Sequence, residues 1–217
     1  MSRGMLITIE GMEGAGKGTT IRWSKEYLAS YNLPLIWSRE PGGTALGEAV
    51  RKLLLNNNFN IGWEAELLLC FAGRAQHLAE VIRPALAKGM IVICDRFTDS
   101  SYAYQGYARG GQLDKITRLA ELVQGELQPD FTLLLDVPVE VGMKRVYAHR
   151  RVLDRIEREQ YDFFERVVRG YREMAARFSD RYYVVNANCS RTKLHQQLRN
   201  FWQRVIKSFT NEVNFDS

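Results

Sequence analysis

The chain has 217 residues, and its 46% hydrophobic content is enough to bury a sizeable core in one domain, residues 1–217. Its 30 Lys and Arg residues against 25 Asp and Glu residues give a net charge of +5, which favours anionic ligands without requiring nucleic acid. No uninterrupted apolar run approaches the roughly 20 residues that span a bilayer, and three widely spaced cysteines predict neither a disulfide framework nor a metal site. We therefore expect a cytoplasmic protein that binds neither membrane nor nucleic acid.

Short apolar runs typical of strands alternate along the chain with segments of helical periodicity. The predicted strands cover residues 6–10, 35–38, 91–95, 132–136 and 182–185. Apolar residues at helical spacing predict helices over 65–86, 113–127, 164–178 and 194–205. This alternation indicates an α/β fold in which helices cover both faces of a parallel sheet.

A glycine-rich segment follows the first predicted strand, with the spacing Gly11-x-x-x-x-Gly16-Lys17. Glycines in such a loop permit positive φ, so that backbone N–H groups can surround phosphate oxygens at the start of the next helix. Lys17 would then reach the β- and γ-phosphates of a nucleoside triphosphate. The predicted nucleotide-binding residues are Gly11, Met12, Glu13, Gly14, Ala15, Gly16, Lys17, Gly18 and Thr19.

The residue after the lysine departs from the usual P-loop pattern. Gly18 stands where a serine or threonine normally offers a hydroxyl to Mg²⁺, and Thr19 is the predicted substitute. The alternative is that the glycine-rich turn only connects a strand to a helix. The agreement of strand, spacing, lysine and helix disfavours that alternative.

Charged residues follow the strands at the sheet edge where ligands of such folds bind. Arg39 and Arg96 could hold an acceptor phosphate, because a guanidinium group pairs bidentately with phosphate oxygens, although either could also be a surface arginine or an ion-pair partner. Asp95 ends the third predicted strand and could hold Mg²⁺ through water or orient the acceptor. Asp136 ends the fourth and is the alternative metal carboxylate, although it also fits a turn or cap residue.

In these motifs the chain resembles the thymidylate kinase family of the bacterial type. The resemblance rests on the P-loop and on the segments Arg39-Glu40-Pro41-Gly42-Gly43, Phe71-x-x-Arg74, Asp95-Arg96-Phe97, Tyr104-Gln105-Gly106 and Leu153-Asp154-Arg155-Ile156-Glu157. It implies a three-layer P-loop kinase fold with a five-stranded parallel sheet. It also implies transfer of the γ-phosphoryl group of ATP to dTMP with Mg²⁺, in an enzyme that forms a homodimer.

The resemblance implies a base pocket built on one predicted helix. Phe71 is expected to stack on thymine while Arg74 hydrogen-bonds its edge, and Ser101 and Gln105 are expected to add polar contacts. Phe71 and Arg74 are one helical turn apart, so they project from the same face. Taken alone, the pair would fit a core phenylalanine with an arginine that passes it to reach solvent.

The resemblance also assigns roles around the sugar and the phosphates. Asp95 is expected to serve Mg²⁺ or the acceptor, and Arg39 and Arg96 to hold the acceptor phosphate. Glu13 is expected near the 3′-hydroxyl or the acceptor phosphate, although a loop carboxylate can also be merely solvated. Tyr104 is expected beside the 2′ position, where it would disfavour ribonucleotides, although an aromatic after a strand is often only packed.

A basic stretch between the fourth strand and a long helix predicts a mobile lid at about 144–157. The P-loop reads Glu13-Gly14-Ala15 and contains no arginine, so a cation for the transferring phosphoryl group must come from elsewhere. The candidates are Arg150, Arg151 and Arg155. The alternative is a charged face that only contacts solvent.

Three other functions are possible for a chain of this kind. A kinase for a different small acceptor is the main alternative. A nucleotide-binding switch that reads guanine would need an Asn-Lys-x-Asp string, which the sequence lacks. A nucleic-acid-binding or ATPase-driven interaction protein would need a basic face with base-stacking aromatics or an extra module, and the sequence indicates neither. No Ser–His–Asp or Cys–His arrangement indicates covalent catalysis. The three histidines have no ligand spacing and are expected to be structural or on the surface.

Overall fold

The computed structural model describes residues 4–149 and 152–215. Within these residues a five-stranded sheet has the order β2-β3-β1-β4-β5, and all its neighbouring strands run parallel. The strands are β1 (Met5–Glu10), β2 (Leu35–Arg39), β3 (Ile91–Asp95), β4 (Phe131–Asp136) and β5 (Tyr182–Asn186). The predicted fold class is confirmed, and each predicted strand agrees with the observed one to within one residue at either end.

Helices lie on both faces of the sheet, as the buried strands require. They are α1 (Lys17–Leu28), α2 (Ala45–Leu55), α3 (Trp63–His77), α4 (Arg83–Ala87), α5 (Thr98–Ser101), α6 (Leu113–Gln124), α7 (Val139–His149), α8 (Tyr161–Arg177) and α9 (Arg191–Phe215). A short 3₁₀ turn, Ala29–Tyr31, follows α1. None of the described helices combines the length and the apolarity that crossing a bilayer requires.

The predicted helix over 65–86 is wrong as a single regular element. A π-helical turn, Leu78–Ile82, separates α3 from α4, and the N–H of Arg83 donates to Leu78 O five residues earlier. Pro84 explains the change, because proline has no N–H and its ring clashes with the carbonyl four residues earlier in a regular helix. A second π-helical segment, Tyr102–Ala108, follows α5.

The largest core cluster lies between the sheet and the helices α8 and α9. In it Phe201 and Trp202 are fully buried, and the indole N–H of Trp202 donates to Ser24 Oγ at 2.8 Å, which joins α9 to α1. The strand register places Asp95 beside Ile9 of β1 and Arg39 of β2. The carboxyl ends of three neighbouring strands therefore lie side by side at one edge of the sheet.

Candidate active site

A cavity of about 980 Å³ opens at this edge of the sheet. Its size lies at the upper end of the roughly 300–1,000 Å³ typical of ligand pockets. The predicted site residues that line it are Glu13, Gly14, Ala15, Gly16, Lys17, Gly18, Thr19, Arg39, Arg74, Asp95, Arg96, Ser101, Tyr104, Gln105 and Arg155. The structure thus brings the predicted nucleotide loop and the predicted acceptor residues into one space.

The P-loop has the backbone conformation that its glycines allow. Gly14 has a φ of 72°, and a Cβ atom there would lie only 2.0 Å from the carbonyl oxygen of Gly142 in α7. Gly16 has a φ of 96° just before α1 begins at Lys17. Glycine tolerates positive φ and has no Cβ atom that would collide with Gly142. The loop can therefore pack directly against the backbone of α7.

Lys17 lies across this loop and donates from Nζ to Gly11 O at 2.7 Å and to Met12 O at 3.1 Å. Burial lowers the pKa of Lys17 to about 8, and the charge of Arg96 contributes, while Asp95 and Glu13 oppose the shift. A bound polyphosphate would add negative charge at this point and favour the ammonium form.

Asp95 ends β3 with an unsatisfied oxygen. Its Oδ1 is buried and has no hydrogen-bond partner among the described residues. Thr19, on the first turn of α1, is exposed and lines the same cavity. A free carboxylate oxygen and a hydroxyl are the hard ligands that Mg²⁺ takes, directly or through water, so these residues fit a magnesium ion. Asp136 instead pairs with Arg172 at 3.1 Å and does not line the cavity.

Arg96 is held in an unusual backbone conformation by a network of side chains. Its φ of 71° lies in the left-handed region, which is rare for a residue with a Cβ atom. One terminal nitrogen donates to Glu13 at 2.7 Å and to the Tyr104 hydroxyl at 3.0 Å, and that hydroxyl also donates to Glu13 at 2.5 Å. Burial alone would raise the pKa of Glu13, but Arg96 and Lys17 outweigh it and lower that pKa.

Glu10, which the motif analysis did not select, supports the other terminal nitrogen of Arg96. That nitrogen donates to Ser100 Oγ at 3.2 Å and to the Tyr171 hydroxyl at 3.1 Å. Both hydroxyls donate onward to Glu10 Oε2, at 2.7 and 2.8 Å. Burial, together with the charge of Asp99, raises the pKa of Glu10 to about 7. Tyr171 lies in α8, so no local pattern in the sequence reveals this contact.

Two further arginines stand at the α2 side of the cavity. Arg39 is half exposed, and its Nη2 donates to both carboxylate oxygens of Glu48 in α2, each at 2.9 Å. Arg51 also lines the cavity and donates to Pro41 O at 3.2 Å. Burial and the charges of Arg39 and Arg96 lower the pKa of Arg51. The sequence analysis missed Arg51. Its position in α2 next to the buried residues Val50 and Leu54 is the signal that could have indicated it.

Arg74 is almost fully buried, and each of its three guanidinium nitrogens donates a hydrogen bond. Its Nε donates to Glu40 Oε2 at 2.7 Å, and both terminal nitrogens donate to Ser101 Oγ at 3.2 Å. Its guanidinium carbon lies 4.5 Å from the ring centroid of Phe71. Phe71 is 2% exposed, belongs to a core cluster and does not line the cavity. The stacking role of Phe71 therefore stays a prediction, and in this arrangement Arg74 occupies a face of its ring.

The pairing of Glu40 extends to His77, whose Nδ1 lies 3.0 Å from Glu40 Oε1 and whose Nε2 lies 2.6 Å from Ser38 Oγ. Cys94 completes a buried group of potential metal ligands within 4.8 Å of one another. The hydrogen bonds to Ser38 and Arg74 already account for His77 and Glu40 without an ion. His77 is thus a buried residue that links Glu40 to Ser38.

Arg155 is the predicted lid arginine that the structure describes, whereas Arg150 and Arg151 lie outside the described residues. It donates from Nε to Leu54 O at 2.7 Å and from Nη2 to Glu66 Oε2 at 2.5 Å. Glu66 also accepts from Gln105 Nε2 at 2.7 Å. Arg155 is therefore attached to the part of the cavity that contains Gln105, and reaching a transferring phosphoryl group would require it to leave Glu66.

The opposite end of the cavity contains residues that the sequence analysis did not single out. Arg145 of α7 donates to Gly14 O at 3.3 Å and to Ala187 O at 3.1 Å. It belongs to the basic run recognised in the sequence, but its contact with the P-loop depends on how α7 packs. The other lining residues at this end include Arg22, Ala187, Cys189 and Arg191.

Comparison with known proteins shows the family to which the chain belongs. The family model described as thymidylate kinase matches residues 9–198. The chain belongs to the thymidylate kinase family. A thymidylate kinase of Ectopseudomonas mendocina is 50% identical over 85% of this chain and 88% of that protein. One from Pseudomonas fluorescens is 46% identical over 94% of this chain and 97% of that protein.

A solved structure agrees with these relatives. The crystal structure of thymidylate kinase from Ehrlichia chaffeensis has a TM-score of 0.74 and 33% identity, and the match covers 93% of this chain and 99% of that one. The predicted family is thereby confirmed. This thymidylate kinase family member is a phosphotransferase that uses ATP to convert dTMP to dTDP.

Proposed function

We propose that ATP binds at the P-loop end of the cavity and dTMP at the end formed by Arg74, Ser101 and Gln105. The observation that carries this assignment is the continuity of the cavity from Lys17 to Gln105. Phosphoryl transfer needs the donor and acceptor oxygens in line, so both nucleotides must share one space.

Cations surround the point where the two nucleotides would meet. Lys17 neutralises the donor phosphates, and Arg39, Arg51 and Arg96 hold the acceptor phosphate. Asp95 and Thr19 would hold Mg²⁺, which would supply positive charge to the phosphates. The unpaired Oδ1 of Asp95 supports this assignment. Cations placed before the reaction act where negative charge spreads in the transition state.

Glu13 would change partners when the acceptor binds, because its carboxylate pairs with Arg96 at 2.7 Å. An acceptor phosphate would compete with Glu13 for the same guanidinium group. Once displaced, the Glu13 carboxylate and the Tyr104 hydroxyl face the sugar, where Tyr104 excludes a 2′-hydroxyl. Phe71 completes the base pocket from behind Arg74.

The lid carries the remaining cation of the proposal. Arg150, Arg151 and Arg155 belong to the predicted lid at about 144–157, and one of them contacts the transferring phosphoryl group. The absence of an arginine from the P-loop segment Glu13-Gly14-Ala15 supports this role. By family resemblance we also propose a single catalytic domain, a homodimer and a cytoplasmic location.

The test is a coupled assay of ADP release with ATP, Mg²⁺ and a panel of nucleoside monophosphates. We expect dTMP to be the best acceptor, and Lys17→Ala to abolish nearly all turnover. Lys52→Ala, an exposed lysine of α2 that does not line the cavity, is the matched control. Asp95→Asn should raise the Mg²⁺ concentration needed for half-maximal rate. An unchanged Mg²⁺ requirement in that variant would remove Asp95 from the metal site.

A further inference from the structure

Glu66 is a buried carboxylate for which the reaction itself has no use. It lies on the first turn of α3 and is 1% exposed. Its Oε1 accepts from Gln105 Nε2 at 2.7 Å, and its Oε2 accepts from Arg155 at 2.5 Å and from Arg109 at 3.3 Å. The two arginines supply the positive charge that a buried carboxylate requires.

The contact with Glu66 decides which end of the Gln105 amide faces the cavity. An ionised carboxylate can only accept hydrogen bonds, so the NH₂ group of Gln105 must point toward it. The amide oxygen, Oε1, has no hydrogen-bond partner among the described residues, and Gln105 lines the cavity. The cavity wall at this point therefore presents an acceptor.

Arg74, on the same wall, presents only donors. A donor beside an acceptor matches the edge of uracil and thymine, which carry the O4 acceptor beside the N3–H donor. Cytosine has the reverse pattern, an amino group at position 4 beside an unprotonated N3. The wall would leave both of its polar groups unpaired against cytosine, and unpaired buried groups are costly.

We propose that Glu66 is a specificity-determining residue, because it locks the Gln105 amide in the orientation that accepts thymine or uracil and rejects cytosine. This inference rests on the proposed binding of the acceptor base between Arg74 and Gln105. Glu66 does not touch the base and acts as a positioning residue through Gln105.

The experiment compares kcat/KM for dUMP and dCMP, two acceptors that differ only at this edge of the base. Glu66→Gln keeps the shape of the side chain but can donate as well as accept, so the amide of Gln105 is no longer held in one orientation. We expect the dUMP to dCMP preference to fall at least fivefold. The dTMP to dUMP preference, which reports the 5-methyl group, should stay within twofold of the parent value.

Both readouts are ratios, so they do not depend on the fraction of folded enzyme. If Glu66→Gln does not fold, the double variant Glu66→Met with Arg155→Met replaces it. This variant removes the buried carboxylate together with Arg155, and Arg109, the other arginine partner of Glu66, still pairs with Glu159 at 2.5 Å. Arg155→Met alone is its control and should leave the dUMP to dCMP ratio unchanged. A ratio within twofold of the parent in both Glu66 variants would overturn the inference.

Gln105→Ala separates this inference from the proposed base site. If Gln105→Ala lowers the dUMP to dCMP preference, the base site stands, and adding Glu66→Gln in that background should change the ratio no further. A further fall as large as in the parent would show that Glu66 does not act through Gln105. No effect of Gln105→Ala would instead remove Gln105 from the proposed base site.

Discussion

The buried ion pair between Arg74 and Glu40 should dominate the stability of the base pocket. The Nε to Oε2 distance is 2.7 Å, and the two side chains are 3% and 6% exposed. Removal of one partner leaves the other charge buried, which typically costs about 3–5 kcal/mol of unfolding free energy. Glu40 retains His77, so we expect Arg74→Met to cost about 3 kcal/mol, near the lower limit.

A double-mutant cycle measures this coupling. Arg74→Met, Glu40→Gln and the combined variant should be unfolded in urea and compared with the parent at a constant m value. Because the combined variant leaves neither charge unpaired, we expect its loss to be smaller than the sum of the single losses by about 2 kcal/mol or more.

The exposed pair of Arg39 and Glu48 provides the matched control, since its members are 52% and 40% exposed. Its coupling should be below about 1 kcal/mol, because water screens exposed pairs. If the losses at Arg74 and Glu40 add to within about 0.5 kcal/mol, the two charges are not coupled and the argument from burial fails. The activity of Arg74 variants should be compared with the parent per folded molecule, because part of any loss of rate comes from the loss of stability.

Two other predictions concern the lid and Glu10. The triple variant with alanine at Arg150, Arg151 and Arg155 should lower kcat by on the order of 10³, and a steady-state rate within about threefold of the parent would leave the basic run as a solvated face. Arg155→Ala alone should also lower the melting temperature, because it loses Leu54 O and Glu66. The pKa of Glu10 is about 7 in the folded protein, against 4.5 for an ordinary glutamate, so the folded state holds this proton more tightly than the unfolded state. The free energy of unfolding should therefore fall by about 3 kcal/mol as pH rises from 4.5 to above 7. Urea unfolding at pH 4.5 and pH 8 should show this fall in the parent but not in Glu10→Gln, and equal falls would refute it.

The strands were predictable because a parallel sheet covered on both faces needs continuous apolar runs, and such runs end where the polar site begins. The segment 65–86 was predicted as one regular helix because apolar periodicity continues through the π-helical turn Leu78–Ile82. Pro84 was the available signal of that break.

Some residues of the site could be predicted from the sequence and others could not. The P-loop, Arg39, Asp95 and Arg96 adjoin strands, so their positions follow from local sequence and from the parallel order of the sheet. Glu10 and Tyr171 are 161 positions apart, and Arg155 and Glu66 are 89 apart. Contacts of this range depend on how α3 and α8 pack, which no motif in the chain specifies.

Three buried carboxylates orient side chains of the cavity in the same way. Glu40 holds Arg74, Glu66 holds Gln105, and Glu10 orients the hydroxyls that accept from Arg96. Burial of a carboxylate is costly unless its partners are well placed, so each of these groups restricts a cavity side chain to one orientation.

Arg39 and Arg51 are held differently from this rigid wall. Arg39 is half exposed in its pair with Glu48, and Arg51 donates to a backbone carbonyl, that of Pro41. Side chains of this kind can turn toward a phosphate at little cost, since exposed pairs contribute little to stability. The structure therefore combines a preorganised surface for the base with adaptable cations for the phosphates. Specificity needs the first, because a fixed donor and acceptor cannot adjust to the wrong base, and phosphoryl transfer needs the second, because the position of charge changes during the reaction.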